Sequence, residues 1–359
     1  MDHGIFTASL DFELYWGVRD KKSIDQYKEN LLGARKAIPE ILQDFTSKNI
    51  HATWATVGFL FFEDKESLTK RLPKQLPTYN KANLSPYTYI NNNPILEKPY
   101  HFAPKLINLI AEHPGQEIGT HTLSHYCCLE KGQTIEQFEE DIRLAIEAAN
   151  SCGVEIKSIV FPRNQSNKEY FPSLIKLGIK CYRGNEQFWI YRAIEDTHDT
   201  KLQRALRLAD AYINISGHNT YELDDCTKSI PFNFPSSRFL RPYSSKLSTL
   251  DWLRLRRIKN AMTDAAIEHK IFHLWWHPHN FGKNTKENIE FLSKISDHYF
   301  FLKENYGMKS LNMGELCQLG EAHKNRQPHQ NSETKSILPR SRSTNSTHET
   351  NNLTHSRGN

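Results

Sequence analysis

Short apolar runs alternate along this chain with longer stretches in which apolar residues recur at helical spacing, from Ile5 to about Leu311. The apolar runs predict strands at Ile5–Leu10, Ala52–Val57, Glu117–Thr120, Ile156–Phe161, Lys180–Tyr182, Ala211–Ile215 and Phe272–Trp275, with a weak one at Met308–Leu311. The periodic stretches predict helices at Ile24–Lys48, Pro104–Glu112, Thr134–Ser151, Tyr170–Leu177, Leu250–Glu268 and Lys286–Tyr306. Strands and helices in alternation make an α/β fold. Two stretches break the rhythm and read as irregular excursions: residues 70–100, rich in Pro, Asn, Tyr and Lys, and residues 218–247, with Pro231, Pro235 and Pro242 among aromatics. Long ordered loops in compact domains are often functional, and the first of these reads as a substrate-side loop. From Glu321 onward almost no apolar residues occur, so residues 321–359 are expected to be a disordered polar tail that cannot repay the entropy of ordering.

A chain of 359 residues can bury a large core, and one barrel-type domain over residues 1–320 fits this length. The net charge of +5 changes little: six Lys or Arg against three Asp or Glu in residues 321–359 supply +3, leaving +2 on the body. No basic stripe interleaved with aromatics is present, so no nucleic-acid partner is expected. The six cysteines, Cys127, Cys128, Cys152, Cys181, Cys226 and Cys317, form no CxxC pair and read as reduced thiols. Met1 is followed by no basic and apolar leader, and no run approaches membrane-spanning length; a cytoplasmic protein with no membrane span is the expectation. Neither GxGxxG nor GxxxxGK[ST] occurs and no internal repeat is found, which disfavours nucleotide chemistry.

The chemistry concentrates at strand ends. His121 and His125 stand four apart behind an apolar run, a spacing that lets both imidazoles project one way, although a lone pair of this kind is more often two polar loop residues. A zincin helix would carry Glu after the first His; Thr122 stands there, so a base must come from elsewhere. Asp11 and Glu13, two apart at the end of the first strand, can project to the same side, where one carboxylate completes a metal site and the other serves as base. The blander reading is a polar strand end. Phe272–Phe281 ends in His277, Pro278, His279 and Asn280, and His277 is placed either to protonate a leaving amine or to pack as a loop residue. Ser158–Gln165 stops at Pro162 and Arg163; Arg163 reads equally as a surface arginine or as a partner of Asp11 or of an anionic substrate. Trp275 and Trp276 read first as wall and core, with one of them open to a sugar-stacking role.

With these elements in this order, the chain resembles the polysaccharide deacetylase family, the NodB-like, metal-dependent carbohydrate esterases of family 4 type. The likeness covers roughly residues 5 to 315 through a few short motifs. Ser9-Leu-Asp-Phe-Glu13 resembles the first motif, which implies Asp11 as base and Glu13 as metal ligand. His121-Thr-Leu-Ser-His125 matches the second without deviation and implies His121 and His125 as the other ligands. Pro162-Arg163 inverts the usual Arg–Pro order of the third motif, and Arg207-Leu-Ala-Asp210-Ala-Tyr212 keeps little of the fourth. Leu274-Trp-Trp-His277-Pro278 resembles the fifth and implies His277 as acid. The resemblance also implies a distorted (β/α)7 barrel of the NodB-like type, and one divalent ion at the strand C-termini. Zinc is the first expectation, with Mn2+, Co2+ or Fe2+ also suited to such ligands.

The expected activity is therefore hydrolysis of an N-acetyl or N-formyl group on an amino sugar, whether free, nucleotide-linked or lipid-linked, or on a glycan precursor. Metal-activated water is the nucleophile, Asp11, His277 and Arg163 are the catalytic set, and Trp16, Trp276 and Asn280 contact the sugar. Two other classes stay open: a non-haem iron oxygenase, which uses the same two-His-one-carboxylate set, and a sugar-binding descendant without turnover.

Overall fold

The computed structural model describes residues 1–192 and 200–326. Among them, nine strands form one sheet: β1 (Ile5–Phe12), β2 (Ala52–Thr56), β3 (Gln116–Thr120), β4 (Ser158–Val160), β5 (Cys181–Arg183), β6 (Phe232–Asn233), β7 (Arg238–Phe239), β8 (Ile271–Trp276) and β9 (Lys309–Ser310). Their order is β6-β5-β4-β3-β2-β1-β8-β7, with β9 added beside β1 and every pairing parallel. The two ends of this order are joined by residues 234–237, where Ser236 N–H donates to the Gly184 carbonyl (2.9 Å) and Ser237 N–H to that of His273 (2.8 Å). The sheet thus curls into a distorted (β/α)7 barrel whose seventh stave is the bent segment 232–239.

Period-two alternation divides each strand between helices and lumen. On β1, Phe6, Ala8, Leu10 and Phe12 join the outer core, leaving Thr7, Ser9 and Asp11 to the inside. On β8, Phe272, Leu274 and Trp276 go outward, and His273 and Trp275 inward. The first helix, Ile24–Lys48, begins at a capping box between Ser23 and Gln26. It then buries Leu31, Ala34, Ile38, Ile41, Leu42 and Phe45, a spacing that keeps one face on the sheet. Helices Pro104–Glu112, Ile135–Asn150, Asp251–Ile267 and Thr285–Tyr306 stand close to their expected places. No helix among the described residues is long and apolar enough to cross a membrane.

Four expectations are corrected. Ala211–Ile215 is a turn after helix Lys201–Asp210, not a strand: the Asp210 carboxylate draws in Ile215 N–H (2.9 Å) and Ser216 N–H (2.8 Å), and Ile213 is left exposed. Its apolar alternation mimics a strand that has no sheet edge to join. Segment 218–247 is not irregular throughout, since it holds helix Leu223–Cys226 and supplies β6 and β7. Segment 70–100 contains helices Pro86–Asn92 and Lys98–His101. The polar tail does not begin at Glu321, because helix Met313–Arg326 continues through it, with Glu321 paired to Lys180 (2.9 Å) and Lys324 over the Phe232 ring (5.0 Å). Residues 327–359 lie outside the described part.

Asp210 also ties its helix to the barrel. Its fully buried carboxylate pairs with Arg238, lies 3.6 Å from Arg257, and accepts from the Tyr191 hydroxyl (2.7 Å). Burial works to raise its pKa, but Arg238 and the surrounding donors outweigh it and hold the carboxyl well below the usual range. A depressed folded-state pKa contributes stability above the unfolded value and loses it as pH falls through the folded one. Asp210→Asn should therefore cost about 3–5 kcal/mol at neutral pH by leaving two buried arginines short of their partner. In urea melts across pH, the gap to the parent should narrow only below the ordinary aspartate value of 3.8.

Candidate metal and catalytic site

Loops leaving β1, β3, β4, β5 and β8 meet at one mouth of the barrel, where parallel strands deliver their C-terminal ends. Glu13 follows β1, and its Oε2 lies 3.3 Å from His121 Nε2 and 3.1 Å from His125 Nε2. All three side chains are buried, and their candidate ligand atoms lie within 4.8 Å of one another. His121 Nδ1 is 2.8 Å from the Val160 carbonyl, which can only accept, so Nδ1 carries a proton and Nε2 is the nitrogen turned towards Glu13. That Nε2 is buried with no hydrogen-bond partner among the described residues. Two imidazole nitrogens and a carboxylate oxygen converging on one point fit a divalent ion. Burial pulls the His125 pKa down against the opposing pull of Glu13, and a neutral imidazole is the form that ligates.

The His121–His125 loop is held open by strain with local compensation. Thr122 (φ 63°) and His125 (φ 59°) are left-handed, as are Leu14 (φ 45°), Arg163 (φ 57°) and Asn164 (φ 55°) on neighbouring strand ends. Non-glycine residues in that region cost of order 1–3 kcal/mol each and persist only where surroundings over-determine them. Here the surroundings are hydrogen bonds: Leu123 N–H (2.7 Å) and the Ser124 hydroxyl donate to Asp141, and Tyr126 N–H donates to Thr122 Oγ1 (2.7 Å).

Asp11 sits beside this cluster, but its arginine is not the expected one. Arg183, the last residue of β5, grips it with two parallel bonds, Nη1 to Oδ1 (2.7 Å) and Nη2 to Oδ2 (2.8 Å). Burial favours the neutral acid; the charge of Arg183, with His121 and His277, reverses the balance and leaves the Asp11 pKa below its usual value. Arg163 instead pairs with Asp20 (2.6 Å), because its left-handed backbone sends the side chain away from Asp11. The neighbouring Asn164 points the other way and accepts from Arg183 Nη2 (2.9 Å).

His277 Nε2 lies 3.7 Å from Asp11 Oδ2 and 3.6 Å from Glu13 Oε1, and it is the partly exposed imidazole of the group. Asn280 Nδ2 stands 3.4 Å from His277 Nδ1; as a donor there it leaves the imidazole proton on Nε2. His279 Nε2 is 3.8 Å from Glu13 Oε1, and burial, with the adjacent His277, drives its pKa down to about 3. Burial works to raise the Glu13 pKa, but His277, His121 and His125 together hold it well below the carboxylate range. Of the three expected substrate contacts, Asn280 alone is at the mouth. Trp16 is buried with its indole N–H on the His101 carbonyl (2.7 Å), and Trp276 is buried between Phe45 and Phe281. Trp275 faces inward in place of Trp276, under the Arg183 guanidinium at 4.3 Å and edge-on to His277.

No family model and no curated protein sequence matches the chain. Its architecture is shared with solved structures. One from Mycobacterium smegmatis, classed as a polysaccharide deacetylase, aligns with a TM-score of 0.54 and 14% identity over 90% of this chain and 92% of its own. Another so classed, from Pseudomonas aeruginosa, gives 0.52 and 10% over 90% and 93%. The chain thus has the NodB-like barrel fold.

Sequence reasoning missed Arg183, Asn164, Asp141 and Gly17. Arg183 carried a usable signal, since it follows a predicted strand directly. Gly17 is needed by close approach: a Cβ there would lie 2.0 Å from Cδ and Oε1 of Glu13. Only the carboxylate can give way. Gly17→Ala should therefore leave the circular dichroism spectrum unchanged while uptake of divalent metal, measured by elemental analysis, falls to the level of Glu13→Ala. Full metal uptake in Gly17→Ala would mean that Glu13 is not a ligand.

Proposed function

We propose that this chain is a metal-dependent hydrolase that removes an N-acetyl or N-formyl group from an amino sugar or glycan precursor. The observation that carries the reading is the convergence of Glu13, His121 and His125 beside an arginine-held Asp11 and a partly exposed His277. The barrel it shares with structures classed as polysaccharide deacetylases supports a carbohydrate substrate. Glu13, His121 and His125 would hold one divalent ion, zinc by preference, and when bound it supplies Lewis acidity that polarises an acyl oxygen and acidifies water. Asp11 accepts the proton of the attacking water, whose oxygen bonds to the acyl carbon. Arg183 keeps Asp11 charged, so the acceptor is always available, at some cost in basicity. As the carbon–nitrogen bond breaks, His277 in its imidazolium form gives a proton to the departing amine and is left as the neutral imidazole. Trp275 walls the mouth beside it. An oxygenase on the same three ligands would leave Asp11 and Arg183 without a task. Six unpaired cysteines suit a reducing, cytoplasmic setting.

The test is anaerobic incubation of zinc-loaded protein with N-acetyl and N-formyl amino sugars and their nucleotide conjugates, read as free amine. His121→Ala and His125→Ala should lose the ion. Asp11→Asn should retain it and lose about 10²–10⁴ in kcat, as should His277→Ala with KM little changed. Turnover that requires iron, oxygen and a keto acid would replace the hydrolase with the oxygenase, and glycan binding without turnover would favour the inactive descendant.

A further inference from the structure

Beneath Asp11 the lumen is polar where the interior of a small barrel is ordinarily filled by branched apolar side chains. His273, fully buried on β8, sets its Nε2 2.8 Å from Ser9 Oγ and its Nδ1 3.1 Å from the Phe234 carbonyl. Ser9 Oγ is also 2.9 Å from Arg183 Nη1. With His273 neutral, these contacts admit one arrangement of protons. A guanidinium only donates, so the Ser9 oxygen accepts from Arg183 and its own hydrogen is left for His273 Nε2. Nδ1 must then carry the imidazole proton and donate it to the Phe234 carbonyl. The chain runs in one direction, from a backbone carbonyl at the barrel seam, through a neutral imidazole and a hydroxyl, to the guanidinium that grips Asp11. Burial, followed by the charge of Arg183, holds the His273 pKa down at about 3, in keeping with that neutral form.

Arg183 is otherwise located by Asn164 Oδ1 on its second nitrogen and by the Trp275 face. Ser9 is the acceptor on the first nitrogen beyond Asp11, and without it the fork can turn out of the carboxylate plane. We infer that Ser9 and His273 are positioning residues for the proposed hydrolysis, fixing Arg183 so that Asp11 is aimed at the attacking water. This rests on Asp11 being the base. A purely structural polar plug would hold the barrel without directing the carboxylate, and the two roles separate experimentally.

The variants are Ser9→Ala, His273→Leu, His273→Gln and the Ser9→Ala/His273→Leu double. Steady-state rates on N-acetyl amino sugars, zinc content and side-chain NMR are measured for each. Ser9→Ala and His273→Leu should each lower kcat about 10- to 100-fold with KM and zinc content unchanged, the range for losing a partner behind a catalytic group. The double should be no worse than either single, because both break the same chain. His273→Gln, whose amide oxygen can take the Ser9 hydrogen, should recover most of the rate. Independently of turnover, imidazole nitrogen shifts should report the Nδ1–H tautomer of His273, and the separate Arg183 Nη–H signals of the parent should broaden in Ser9→Ala. Unchanged kcat and unchanged Arg183 signals in Ser9→Ala would overturn the inference and leave the hydrolase standing. Additive losses in the double, with KM or melting temperature falling alongside, would assign the pair a structural role. If Asp11→Asn itself keeps turnover, the hydrolase reading fails first.

Discussion

The structure is organised around a buried ion pair. Asp11 and Arg183 are almost wholly removed from water, and charges so placed are tolerated only when geometry is good and the remaining donors are satisfied. The bidentate contact meets the first condition. The second propagates outward: Nη1 needs Ser9, Ser9 needs His273, His273 needs the Phe234 carbonyl at the seam, and Nη2 needs Asn164 in a left-handed conformation. One arginine thereby commits β1, β4, β5, β8 and the bent seventh stave to a common arrangement.

Glu13 imposes a second, opposite demand. Its carboxylate faces four imidazoles, His121 and His125 on one oxygen, His277 and His279 on the other. Two of these, His121 and His125, suit a cation; His279 is kept neutral by burial; His277 keeps contact with solvent. Such crowding is possible because Gly17 leaves room and because the loops that carry the histidines are pinned by Asp141 and by backbone bonds to Gly58 and Phe59. The strained residues collect on these loops while the regular strands beneath supply the rigidity, a division expected of a site that needs fixed geometry.

The composition of the site was largely legible in the chain. Asp11, Glu13, His121, His125 and His277 stand at the ends of apolar runs, and the termini of parallel strands are held together by topology whatever their distance in sequence. The long helices were legible for a related reason, since Leu31 to Phe45 declare a face by local period. Elements without a local signal were not. β6 and β7 are two residues each around Pro235, and they count as strands only because β5 and β8 offer open edges. Ala211–Ile215 shows the converse, an alternating run that meets no edge and turns.

Sequence by itself therefore determined the inventory: which residue types stand at strand ends, and that two imidazoles and two carboxylates belong together. Tertiary structure decided the pairings. Nothing near Arg163 or Arg183 in the chain says which one reaches Asp11; the left-handed turn at Arg163 and the parallel register of β4 and β5 do. Nor does the sequence say which of two adjacent tryptophans faces the lumen. That follows from the register of β8 on β1, where Trp275 pairs with Ser9 and Trp276 with Leu10, because side chains alternate and a shift of one residue would exchange wall for core.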